Sequence, residues 1–242
     1  MQREPIFNVP APVLWLLAVF AVVHGAREFM PAETADRFII AMALIPARYT
    51  SSDYDIPGGE WAGVTSFVTH IFTHADLTHL LINSAWLLAF GSILARRIGA
   101  ARFYLLALCG GLAGAVAYLA GHWGQPTPVI GASGAIAALM GAVMRFIFVA
   151  IDQRQGYLLR EDPAAIPLMP LSAALTDRRV VVASALFIGV NLLALIGFGS
   201  FGSNVSGIAW EAHVGGYVFG LLAFGAFDVA PQKSLPSASD LD

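Results

Sequence analysis

Ser133 stands in the run Gly131-Ala132-Ser133-Gly134 at the head of an apolar stretch, and His213 lies near the start of a later one. A serine hydroxyl is a weak nucleophile at neutral pH. It needs a base within hydrogen-bond reach, and imidazole is the usual one. A histidine carried in a long apolar run is costly and calls for a function. A serine at a helix N-terminus also sits among free backbone N–H groups at the positive end of the helix dipole, which favours developing negative charge. Gly131 and Gly134 are expected to let the backbone approach a substrate closely. Acyl transfer further needs donors aimed at its oxyanion, each worth about 3–4 kcal/mol. His79 and Asn83 are spaced i, i+4, so they share one helix face, and both can donate. The chemistry these residues predict is hydrolysis of a peptide bond.

No third triad member is evident. Glu211 is two residues from His213, and positions i and i+2 of a helix do not face together. Asp76 lies one turn before His79 and is expected near water. The reading is therefore a Ser133–His213 dyad whose imidazole is oriented by packing rather than by an acid. Each residue also has a structural alternative. Gly and Ser are common at helix contacts in membranes, Asn83 can act as interhelical glue, and Gly216 with Gly220 reads first as a close-packing GxxxG seam. His70, His74 and His79 suggest a metal only weakly, because no HExxH occurs and Glu60 and Asp76 lack ligand spacing on that face. No metal and no cofactor are expected.

The elements that must position these groups are membrane helices. Of 242 residues, 57% are hydrophobic and 12% charged, with mean hydropathy +0.72. Soluble domains carry roughly 25% charged residues. A net charge of −3 and a single lysine, Lys233, give no basic cluster for nucleic acid, and Cys109 alone excludes an internal disulfide. A crossing helix needs about 20 apolar residues. Six such stretches are read at about 10–27, 74–95, 101–121, 132–151, 179–197 and 208–227. The first resembles a signal peptide in position but has a weak n-region and no clear cleavage site, so it is read as retained. The expected organisation is a cytoplasmic N-terminus over 1–9, one six-span membrane domain over 10–227, and a polar C-terminal tail over 228–242.

The connection 28–73 holds an apolar piece, Phe38 to Ile45, too short to span, and a polar turn-rich stretch, Ser51 to Glu60. It is expected to lie half-embedded at the interface. Arg96, Arg97 and Arg102 bracket the second turn, and the 152–178 connection is charged and proline-containing. Cytoplasmic loops are enriched in Lys and Arg, so these two loops and both termini are expected in the cytoplasm. Ser133, His213, His79 and Asn83 then fall in the outer half of the membrane at similar depth, at about 1.5 Å per residue.

At this point the residues resemble the rhomboid family of intramembrane serine proteases. The family's motifs stand here as His79-Leu80-Leu81-Ile82-Asn83, Gly131-Ala132-Ser133-Gly134, and Ala212-His213-Val214-Gly215-Gly216-Tyr217-Val218-Phe219-Gly220. Phe72-Thr73-His74 and Ala138-Leu139-Met140-Gly141 are family-like as well, and the likeness covers roughly residues 60–227. The resemblance implies an all-α, six-helix rhomboid-like bundle with a membrane-embedded first loop. It implies Ser133 as nucleophile, His213 as general base and acid, and an oxyanion hole of His79, Asn83 and the Ser133 N–H. It implies membrane-spanning protein substrates, cut near their outer end, that enter sideways between spans two and five. It also has Gly216 and Gly220 press span six against span four. The implied home is a bacterial inner membrane, with the site opening outward.

Three departures from the family pattern stand out. Where the first loop often has Trp-Arg, this register holds Thr65-Ser66, with Trp61 four residues early. Ala137 stands where an aromatic often stacks on the histidine, and the 152–178 connection is longer than in compact members. The chemistry requires water at membrane depth, so an outward-open, water-filled pocket is expected. The competing readings are a non-catalytic rhomboid-like scaffold that binds spans, although this chain keeps serine and histidine, and a transporter or channel, which would need an ionisable pathway, whereas the spans hold almost no acid besides Glu211. G-x-G-D and HExxH are both absent, which excludes the aspartyl and zinc types of intramembrane protease.

Overall fold

The computed structural model describes residues 8–50, 55–193 and 209–228. Their regular structure is helical, apart from one isolated antiparallel bridge between Leu44 and Val129. The outer loop expected at 198–207, most of residues 1–9, the turn at 51–54 and the tail from 229 onward lie outside the described residues.

Eleven α-helices follow one another: α1 Ala11–Glu28, α2 Ala32–Met42, α3 Gly59–Thr69, α4 Leu77–Trp86, α5 Ser92–Gly121, α6 Ser133–Val143, α7 Ile147–Asp152, α8 Leu158–Glu161, α9 Leu171–Thr176, α10 Arg178–Leu192 and α11 Trp210–Ala223. Asp76 caps α4 by accepting from the His79 N–H, and Asp177 caps α10 by accepting from Arg179 and Val180. A π-helical turn, Leu87–Gly91, joins α4 to α5 without interruption. The apolar helical run Leu77–Gly121 is 45 residues long, roughly twice what a 30 Å hydrocarbon core requires. It is broken at Gly99, where φ is 75° and ψ 168°, a conformation that glycine adopts without strain. Two antiparallel segments therefore meet almost without a loop. Among the described residues, only α1 and this run are long and apolar enough to cross a membrane by length and composition. The expected span at 132–151 is not one helix: α6 ends at Val143, the backbone turns at Phe146, and α7 follows.

The centre of the molecule is α5, α6 and α11, held together by small residues. A Cβ on Gly216 would lie 2.0 Å from the Gly134 carbonyl oxygen, and one on Gly220 would lie 1.8 Å from that of Ala138. A Cβ on Gly141 would meet the Tyr217 carbonyl at 2.1 Å, and one on Gly114 the Ala212 carbonyl at 2.6 Å. Backbone thus rests on backbone, as is usual where apolar surroundings give helices no hydrophobic reason to associate. The outward faces stay apolar, with Trp15, Val22, Leu81, Leu186 and Val190 exposed.

Two buried arginines tie down the far end. Arg97 pairs with Asp228 at 2.7 Å, donates to the carbonyls of Pro163 and Ile166, and stacks over the Phe146 ring. Arg145 donates to the carbonyls of Met169 and Leu221. Arg97, read from the sequence as one bracket of the second turn, is thus buried, and the 152–178 connection is strapped against the helix ends. Asp228, the first residue of the expected tail, is part of the folded body. Stranding one partner of such a buried pair costs several kcal/mol.

The 28–73 connection folds into α2 and α3. Its anchor is Arg48, whose guanidinium donates to the Ile40 carbonyl at 2.5 Å, with the Tyr49 hydroxyl donating to Gly63 at 2.6 Å. Trp61 is 81% exposed, while Ser66, in the family's Trp-Arg register, is buried beside Tyr49.

Gly220→Ala should destabilise the protein by at least the roughly 1–3 kcal/mol of core overpacking. Gly189→Ala on α10, where a Cβ meets nothing within 4 Å, should be neutral or stabilising by up to about 1 kcal/mol. Thermal unfolding in detergent measures both, and equal behaviour of the two variants would contradict the glycine-locked core.

Candidate active site

Ser133 is the first residue of α6, and what fixes it is the strand-like approach before it. Residues 43–47 of the first connection pair with 125–129: Leu44 N–H donates to Val129 at 3.1 Å, Val129 N–H returns to Leu44 at 2.9 Å, and Ala47 N–H reaches Gln125 at 2.9 Å. Leu44 is fully buried. The Gly131 N–H then donates to the His70 carbonyl at 2.8 Å. Gly131 has φ +115°, and a Cβ there would lie 2.7 Å from Nε2 of His79. Gly131 and Gly134 therefore make room for parts of the protein itself. The first seats the His79 ring, and a Cβ on the second would lie 3.3 Å from the Ala212 carbonyl oxygen and 3.8 Å from the Gly114 Cα.

On the opposite side, α11 brings His213 to the serine. Nε2 of His213 lies 2.7 Å from Oγ of Ser133, although 80 residues separate them. The contact follows from the seam described above, because the glycines that let α11 sit on the α6 backbone lie one turn below His213. Both groups keep some solvent exposure.

The other expected donors flank this pair. The His79 backbone N–H is taken by Asp76, and its Nδ1 lies 3.4 Å from the Ala75 N–H, leaving Nε2 directed at the Gly131 turn. Asn83 is buried, and one of its amide hydrogens goes back to the His79 carbonyl at 2.9 Å. The second remains available, since a carboxamide carries two donors. Glu211 lies 3.7 Å from His122, whose ring stacks on Tyr118. Among the described residues, no group of three or more His, Cys, Asp or Glu is arranged to hold a metal.

The structure adds one residue to the expected set. Nδ1 of His213 lies 2.6 Å from Oδ1 of Asn191 on α10. The imidazole is thus held by a hydrogen bond to an amide oxygen rather than by packing alone. Nothing in local spacing points to Asn191. The available signal is a lone carboxamide in an apolar run, where polar side chains are costly unless partnered.

A serine on a helix N-terminus, touching a histidine from another helix within an apolar bundle, belongs to a hydrolase-like arrangement on a membrane-protein scaffold. The rhomboid domain model matches residues 62–227, and the chain belongs to the rhomboid family, whose members are integral to membranes. It is 29% identical over 184 residues to the rhomboid protease GluP of Bacillus subtilis (strain 168), covering 76% of this chain and 28% of that protein. It is 34% identical over 108 residues to the rhomboid protein YdcA of the same organism, covering 43% of this chain and 51% of the relative. The aligned regions span about half or less of those relatives.

Gly131→Ala should lower the melting temperature through two separable effects, the positive φ and the clash with His79. The φ effect alone is worth about 1–2 kcal/mol. In a His79→Ala background the same substitution should cost measurably less, a non-additivity that reports direct contact. Equal losses in both backgrounds would mean that the two residues do not touch.

Proposed function

We propose that this protein is an intramembrane serine endopeptidase that cleaves membrane-spanning proteins through Ser133 and His213. The observation that carries the reading is the 2.7 Å approach of His213 Nε2 to Ser133 Oγ. As Oγ attacks the carbonyl carbon of the scissile bond, its proton passes to Nε2. The oxyanion forms beside the Ser133 N–H, with the His79 imidazole and the free Asn83 amide hydrogen as further donors. Protonated His213 then gives its proton to the departing amine. Water, activated by the same imidazole, hydrolyses the acyl-enzyme. No metal or cofactor has a part in these steps. Membership of a family that includes proteases, and the partial exposure of Ser133, His79 and His213, support access by water and substrate.

In this reading residues 10–227 form a six-crossing domain, with α2 and α3 set at the outer interface. Both termini lie in the cytoplasm of a bacterial inner membrane, and the site opens to the other side. Substrate helices enter between α4 and α10 and unwind locally at the cut, because helical peptide bonds are already hydrogen-bonded.

Cleavage of a tagged single-span substrate should be abolished by Ser133→Ala and by His213→Ala, and slowed by up to roughly 10²-fold by Asn83→Ala, since other donors remain. Cutting by both the serine and histidine variants would overturn the assignment. Binding of the span by the wild type without cutting would favour a scaffold.

A further inference from the structure

Asn191 is the one polar side chain of α10 that reaches the serine–histidine pair. Its Nδ2 donates to the Phe187 carbonyl at 2.8 Å, one turn back on its own helix. A carbonyl only accepts, so the amide nitrogen must face it, and the amide oxygen must face His213. An oxygen 2.6 Å from Nδ1 requires the proton on Nδ1. The neutral ring then presents a lone pair at Nε2, the nitrogen that faces Ser133 Oγ. The other tautomer would place a proton between Nε2 and Oγ and could not take one up. Asn191 thus selects the only neutral form of the ring able to act as base.

The helix that carries it is held differently from the other two. The α6 and α11 backbones are in contact at glycine, and neither can shift alone. On α10 a Cβ at Gly189 meets nothing, and Val181, Val182, Leu186 and Val190 are exposed. What seats α10 against α11 is Tyr217, through a stack on Phe187 at 4.5 Å and a 2.8 Å hydrogen bond to Ser184.

We propose that Asn191 is a positioning residue for His213, and that through it the seating of α10 against Tyr217 sets the reactivity of Ser133. This rests on the reading of Ser133 as nucleophile. Loosening the Phe187–Tyr217 stack therefore weakens the hold of Asn191 on the imidazole.

The test uses the full chain in detergent and two readouts. One is the rate at which a small fluorophosphonate labels Ser133, which needs no substrate entry. The other is kcat and KM for a tagged single-span substrate. Ser133→Ala defines the blank. Asn191→Leu should lower labelling and kcat roughly 10- to 100-fold with KM unchanged. Asn191→Asp, which keeps an acceptor, should recover to within a few-fold of the wild type. Phe187→Ala, which loosens the seat, should slow labelling in the wild-type background and have no further effect beside Asn191→Leu. Wild-type labelling rates in Asn191→Leu, or an Asn191→Asp variant as slow as the leucine variant, would overturn the positioning role. Equal slowing by Phe187→Ala in both backgrounds would overturn the coupling to α10. A wild type with no Ser133-dependent labelling would instead overturn the nucleophile reading, and this inference with it.

Discussion

The close approach of the α6 and α11 backbones governs everything else in this molecule. With Gly216 against the Gly134 carbonyl and Gly220 against that of Ala138, two helices lie nearer than any side chain would allow. Ser133 and His213 each stand at the start of one of these helices, just beyond the seam. Their separation is therefore set by main-chain contact, which has almost no compliance, rather than by flexible side chains. Precision of this kind suits the proton exchange proposed for the two groups.

The remaining elements serve that axis from its two ends. At one end, the Leu44–Val129 pairing and the His70 carbonyl steer the chain into α6. At the other, Arg97 and Arg145 turn potential surface charge into internal clamps that gather α5, the 145–169 region and the end of α11. Interior guanidinium groups persist because each finds carbonyl or carboxylate oxygens, and an unsatisfied cation there would be prohibitive.

Much of this was legible in the residues. The apolar stretches, the turn near Gly99, and the serine and histidine motifs all follow local rules of hydropathy, capping and spacing. What escaped was set by contacts distant in the chain. The partner of His213 is 22 residues away on another helix. The anchor of the first connection is Arg48 rather than the tryptophan and arginine of the family register. The break after Val143 follows no proline or glycine there, and the wrap of Arg145 around Met169 accompanies it. Hydropathy counts Arg97 as an outside charge, since it records what a side chain is and not whom it meets. Asp76 shows the same limit: its role as a cap was readable, yet the ring of His79 one turn later is placed by a glycine more than fifty positions on.

The short two-stranded pairing between Leu44 and Val129 has a mechanical meaning. It is a rung joining the first connection to the segment that leads into Ser133, with only Ile130, Gly131 and Ala132 intervening. The path from the first connection to the Ser133 hydroxyl therefore runs through main-chain hydrogen bonds and three residues of backbone, with no flexible side chain in between. The first connection is in this sense part of the framework that places the serine, not a loop laid over it.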